Sequence, residues 1–148
     1  MGWSKMSITH QKENYKTYNK TMKILLIDDD IFLRDMYATK FIESGHEVVS
    51  IEQAEQALRL LEEQNDFDVV LVDMVMPGMS GIEFLQKASA SDLCDNKLCI
   101  VLSNQGQQAD IDEALEAGAQ SYIVKAEYIP SQVVKKVEET HKEHTKQT

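Results

Sequence analysis

Four wholly apolar runs in this chain each stop abruptly at a polar group: Ile24-Leu25-Leu26-Ile27 before Asp28, Val69-Val70-Leu71-Val72 before Asp73, Cys99-Ile100-Val101-Leu102 before Ser103, and Tyr122-Ile123-Val124 before Lys125. A strand with one wet face alternates apolar and polar residues, whereas an unbroken apolar run marks a strand buried on both faces. Segments of helical period lie between the runs. Strands alternating with helices predict an α/β domain, a parallel sheet with helices on both faces.

The intervening signals fix most element ends. Asp30 is placed to cap a first helix whose inner face carries Leu33, Met36, Tyr37 and Phe41, with Gly45 as its stop. A second strand is expected over Glu47–Ile51, then a helix with Ala54, Ala57, Leu58 and Leu61 inward. Ser80, three residues before Glu83, has capping-box spacing for a helix to about Ala90. Ile111, Ala114 and Leu115 precede a stop at Gly118, and Pro130 opens a last helix with Val133, Val134 and Val137 inward. The count is five strands and five helices. From Glu138 the mixed-charge tail is expected to fray, and residues 1–22, polar and aperiodic, read as a flexible leader outside the fold.

At 148 residues one domain is expected. The net charge is −10, and because the first 22 residues hold four Lys and one Glu, the rest carries about −13. Nucleic acid is therefore not an expected partner, since its affinity comes from clustered Lys and Arg. Neither a signal-peptide core nor a membrane-length apolar run occurs, so no membrane association and a cytoplasmic location are expected. Cys94 and Cys99 form no CxxC pair and read as reduced thiols, Cys99 as a small hydrophobe within an apolar run.

In an open α/β sheet, ligands bind beyond the carboxyl ends of the strands. Those ends carry Asp28 and Asp29, Asp73, Ser103 and Lys125. Gathered carboxylates repel, by roughly 4 kcal/mol per pair at 4 Å and an effective dielectric near 20. A hard divalent cation relieves that repulsion, and Mg²⁺ commonly takes one or two protein carboxylates together with phosphate oxygens. Phosphoryl transfer needs an in-line nucleophile and neutralised peripheral oxygens, and a carboxylate can serve as the nucleophile.

From about Lys23 to Glu143 the chain resembles the receiver domain of bacterial response regulators, in the stand-alone, chemotaxis-regulator style. The acidic pair is Asp28-Asp29, the phosphoacceptor Asp73 is followed by the Met-Pro-Gly-Met-x-Gly loop of Met76 to Gly81, the switch hydroxyl is Ser103, the aromatic switch Tyr122 and the lysine Lys125. The resemblance implies a flavodoxin-like five-stranded sheet in the order 2-1-3-4-5, with a leader over 1–22, the receiver over 23–144 and a disordered tail over 145–148. It implies Mg²⁺ on Asp29, Asp73 and the Val75 carbonyl, with Asp28 acting through water. A sensor histidine kinase or phosphotransfer protein would phosphorylate Asp73, with Ser103 and Lys125 on the phosphoryl oxygens. Movement of Ser103 and Tyr122 would then remodel the helix 4, strand 5, helix 5 face for a downstream target, and homodimerisation is left open. Such a protein is a phosphoacceptor with at most slow self-dephosphorylation, not an enzyme. Because the sequence ends soon after its last helix, output is expected through another molecule.

Asn104 stands where a small residue commonly follows the switch hydroxyl, and Ala126 where proline, often cis, follows the lysine. A non-proline cis bond costs about 2.5–4 kcal/mol, so this loop either turns trans or is strained. Val75 and Gln105 occupy the positions that set acyl-phosphate lifetime in the family, and only the Gln105 amide is suited to orient water. Two other readings compete. Asp28-x-Asp30 also resembles the first motif of haloacid-dehalogenase-type phosphatases, with Asp28 as nucleophile, but that family needs more chain and leaves the Met76–Gly81 loop unexplained. A receiver-like interaction module working without phosphorylation would suit Asn104 and Ala126, but not the retained acids, Ser103 and Lys125.

Overall fold

The computed structural model describes residues 20–146. Five strands, β1 (Lys23–Ile27), β2 (Glu47–Ile51), β3 (Val69–Val72), β4 (Leu98–Ser103) and β5 (Ser121–Val124), form one parallel sheet in the order β2-β1-β3-β4-β5. The helices are α1 (Ile31–Glu43), α2 (Ala54–Glu63), α3 (Gly81–Ala90), α4 (Gln108–Ala117) and α5 (Pro130–Lys146), with a short 3-10 turn over Lys125–Glu127.

Alternate residues of each central strand feed two separate cores. Leu25, Ile27, Val70, Val72, Cys99 and Val101 face α2, α3 and α4, through side chains such as Leu61, Phe84 and Ala114. Ile24, Leu26, Leu71, Ile100 and Leu102 face α1 and α5, through Tyr37, Phe41, Val133 and Val137. Double-sided burial is why β3, and β4 up to Leu102, are apolar, and β2, at the edge, is the strand with exposed positions at Glu47 and Ser50. Each fully buried Leu, Ile or Val contributes about 1.5–3 kcal/mol, so the sheet holds its strand ends rigidly.

The caps follow the sequence. Asp30 accepts from the N–H groups of Phe32 and Leu33 at 3.0 and 3.1 Å, and Ser80 Oγ from that of Glu83 at 3.2 Å. Gly118 ends α4 at φ +123°, a backbone that disfavours any side chain. Two inward assignments need correction. Met36 and Leu115 are exposed, because the contact stripe of α1 runs through Tyr37 and Phe41 and that of α4 through Ala114 and Ala117.

Two boundaries also move. Residues 1–19 lie outside the described residues, but Met22 belongs to the core rather than to a leader: it is 1% exposed, and its N–H donates to Nδ1 of buried His46 at 3.0 Å. The other ring nitrogen of His46 meets Glu138 Oε2 at 2.7 Å. That contact ties α5 to the start of β1, and α5 runs on through Lys146, taking in Thr145 and Lys146 from the expected tail. Among the described residues, no helix is long and apolar enough to cross a membrane.

Candidate functional site

Sheet register assembles the site. Ile27 pairs with Val72, so the next residues, Asp28 and Asp73, emerge level with each other on adjacent strands. Ser103 pairs with Val124, which places Lys125 one step beyond Ser103 at the same edge. Backbone bonds continue the ladder for one more residue, from Asp28 N–H to the Ile51 carbonyl and from Asp73 N–H to the Ile27 carbonyl, both 3.1 Å. The predicted acids therefore converge: Asp28, Asp29 and Asp73 each offer a carboxylate oxygen, all within 4.8 Å of one another.

Lys125 closes this cup. Its Nζ donates to Asp28 Oδ2 at 2.8 Å and to Asp73 Oδ2 at 3.1 Å. Asp28 is 2% exposed and Lys125 6%, whereas Asp73 is half-buried and Asp29 exposed, so the cup is closed below and open above. The Asp28 Oδ1 atom accepts from Asp30 N–H at 2.9 Å, which leaves both oxygens of Asp28 engaged.

Three carboxylates against one ammonium leave an excess of negative charge. Burial pushes the Asp28 carboxyl above its usual range, only partly countered by Lys125 and the Asp30 N–H, and the Asp73 charge pushes it further. Burial alone would lower the Lys125 ammonium, but the hydrogen bond from Asp28 and the charges of Asp73 and Asp28 outweigh it and hold the ammonium above the ordinary lysine value. Both groups are pushed toward their protonated forms. A small divalent cation, at the open side where Asp29 and Asp73 present oxygens, would balance the remaining charge.

Residues 24–138 match the model of the response regulator receiver domain. The chain belongs to the response regulator receiver family. Its sequence is 34% identical over 122 residues to the chemotaxis protein CheY of Thermotoga maritima, covering 81% of this chain and 98% of that protein. It is also 35% identical over 107 residues to the two-component response regulator-like PRR37 of rice, covering 72% of this chain but spanning only 14% of that protein's length. The CheY-like response regulator receiver domain protein of Methanospirillum hungatei superposes with a TM-score of 0.77 at 28% identity, over 87% of this chain and all of that one.

The remaining candidate residues of the receiver lie around the cup. Ser103 is buried, and its Oγ accepts from Gln105 N–H at 3.3 Å. The Tyr122 hydroxyl, on a ring packed against the core, donates to the Gln105 carbonyl and also lies 3.0 Å from Met74 Sδ. Tyr122 thus braces the β4–α4 loop and makes no hydrogen bond to the acids. Val75 projects its side chain outward, with its N–H 3.5 Å from Asp73 Oδ1, and Asn104 is exposed on the loop. No cis peptide occurs among the described residues, so Lys125-Ala126 is trans and Lys125 enters a 3-10 turn that still delivers its Nζ to both acids.

Three contributors were not found from sequence. Arg34 donates to the Asp28 carbonyl at 2.7 Å and so fixes the acidic turn from the helix that follows it. Burial in α1 raises the phenol of Tyr37, and the charges of Lys125, Asp28 and Asp73 act on it. Gly81 lies so close to the end of β3 that a Cβ there would stand 2.2 Å from the Asp73 carbonyl oxygen. Its place at the end of the Met76–Gly81 loop was the available signal for that contact.

Proposed function

We propose that this receiver accepts a phosphoryl group on Asp73 from the phosphohistidine of a sensor kinase or phosphotransfer protein, in the cytoplasm, and signals through a changed surface. The observation that carries the reading is the placement of Asp73: half-buried at the open side of the cup, one oxygen on Lys125, with Asp28 and Asp29 beside it. Asp28 is not suited to be the nucleophile, since it is buried and both its oxygens are engaged.

Mg²⁺, when bound, supplies positive charge for the transferring phosphoryl oxygens. Asp29, Asp73 and the Val75 carbonyl are the residues suited to hold it, with Asp28 acting through water and bonded to Lys125. The Asp73 carboxylate attacks phosphorus while the donor imidazole leaves, giving an acyl phosphate. Lys125, already tethered at 3.1 Å to Asp73 Oδ2, neutralises one phosphoryl oxygen, and the Ser103 hydroxyl donates to another.

For Ser103 to turn toward the phosphoryl group it must give up the Gln105 N–H, and the loop bonded to Tyr122 then shifts. That couples the charge event at Asp73 to the α4-β5-α5 face, which a target protein reads. The trans Lys125-Ala126 turn favours this reading over a phosphorylation-independent module, because the lysine reaches the acids without proline. Incubation with Mg²⁺ and acetyl phosphate, followed by mass spectrometry, should add one phosphoryl group to the wild type at Asp73 and none to Asp73→Asn. Modification at another residue, or none in the wild type, would defeat the proposal.

A further inference from the structure

The three acids of the cup are not held alike. Asp28 is bonded through its backbone and both carboxylate oxygens: its N–H donates to the Ile51 carbonyl, Oδ1 accepts from Asp30 N–H, Oδ2 from Lys125, and its carbonyl from Arg34 Nη1 at 2.7 Å. Asp73 is tied by its N–H to the Ile27 carbonyl and by its side chain to Lys125. Asp29 is exposed, and among the described residues no hydrogen bond reaches its carboxylate. Its direction therefore comes from the backbone that carries it.

That backbone is pinned on both sides. The Asp28 carbonyl and the Asp29 N–H belong to one planar peptide unit, so a donor fixed on that oxygen fixes the plane. Arg34 supplies the donor. The next plane, which carries Asp30 N–H, is held by the 2.9 Å bond to Asp28 Oδ1. Arg34 is itself anchored, because it lies half-buried in the first turn of α1, its own N–H bonds the Asp30 carbonyl at 2.9 Å, and Asp30 caps that helix. Among the described residues its guanidinium forms no salt bridge, although Asp30 and Asp35 are close in sequence. A charge-assisted donor is spent on a neutral carbonyl, which serves geometry rather than charge balance.

We propose that Arg34 is a positioning residue for Mg²⁺: by holding the Asp28–Asp29 peptide it aims the Asp29 carboxylate at the open side of the cup, on the reading above that Asp29 and Asp73 are the metal's carboxylates. The sign of its effect separates this role from simple electrostatics. A positive charge near a cation site repels the cation, so removing it tightens binding if charge is what matters. Removing a group that orients a ligand weakens binding instead, and loss of such partners typically costs about 10–100-fold in metal affinity.

Mg²⁺ alone is titrated into the full chain in chelator-treated buffer, and amide chemical shifts of isotope-labelled wild type, Arg34→Met and Arg34→Lys give each Kd. Arg34→Met keeps an apolar stem without donor or charge, and should bind Mg²⁺ about 10–100-fold more weakly than wild type. Before metal is added, its Asp28 carbonyl-carbon and Asp29 amide resonances should already be displaced. Arg34→Lys keeps a charged donor but not the planar fork, and its Kd should fall between the two. Urea unfolding in chelator shows that each variant is folded, and if Arg34→Met is not, weaker binding by Arg34→Lys is the result expected. Binding equal to or tighter than wild type in the folded variants, or unmoved Asp28 and Asp29 resonances in Arg34→Met, would overturn the role of Arg34 alone. A wild type that fails to bind Mg²⁺ would instead remove the metal reading of the acids, and the role of Arg34 with it.

Discussion

Replacing Lys125 by methionine keeps the length of the side chain and removes its charge, leaving Asp28 buried without a counter-ion. At 2.8 Å the lost attraction is large, but what reaches stability is limited by an escape route: Asp28 can take up a proton. From an unfolded-state value near 3.9, protonating one aspartate at pH 7 costs about 1.36 kcal/mol for each of roughly 3.1 pH units, or about 4 kcal/mol. That is a ceiling on the Asp28 contribution, close to the roughly 3–5 kcal/mol seen when one partner of a buried pair is removed. Asp73, whose side chain is 14% exposed against 2% for Asp28, is partly screened by solvent and contributes less.

The same escape sets the pH dependence. Asp28 is already raised by burial in the wild type, and without Lys125 it rises further, so the native variant binds a proton that the unfolded chain does not. Stability then falls as pH rises above the unfolded value, and the penalty of Lys125→Met should shrink to about 1.5 kcal/mol at pH 5. Urea unfolding of both proteins in chelator at pH 5 and pH 7 measures this. An equal penalty at the two pH values, or one below about 1 kcal/mol at pH 7, would show that Lys125 does not compensate a buried charge.

Other perturbations probe other parts of the site. Asp29→Asn removes one like charge from an exposed position, so in chelator its thermal stability should equal or exceed that of the wild type, while the gain in Tm on adding Mg²⁺ should largely vanish. Gly81→Ala forces a Cβ against the Asp73 carbonyl and should cost about 1–3 kcal/mol in urea unfolding, with slower acetyl-phosphate modification of Asp73. Asp30→Ala removes the cap of α1 and should cost about 1 kcal/mol without abolishing that modification. Gln105→Ala should slow loss of the phosphoryl group, read as the decay of the modified species by mass spectrometry, and an unchanged decay would exclude the amide from that step.

The strands were legible because burial on both faces leaves no room for polar residues, and a run that ends in Asp, Ser or Lys announces where the sheet meets solvent. Helix faces were less so. A helical stripe is broad enough that Met36, one position from Tyr37, fits it on paper, and only the packing of Tyr37 and Phe41 against β1 decides the matter. Met22 gave no periodic signal because a single apolar residue after a polar stretch has none. Its place depends on His46 and Glu138, 24 and 116 positions away in sequence.

The acids and Lys125 could be placed together from sequence because each follows a strand, and parallel register carries consecutive strand ends to one edge. Arg34 escaped because it acts from α1 on a backbone carbonyl, a relation that leaves no spacing pattern. What holds the cup together is then not its own chemistry. Asp28 and Lys125 are among the few buried charged side chains of the described residues, and the cup they floor keeps an uncompensated negative charge that the apolar sheet must offset. A fold selected for stability alone would place an apolar pair there, as buried ion pairs commonly gain little. The retained cost is what a bound cation would relieve under the proposed function, and chelator-dependent stability of the wild type is where that cost should be visible.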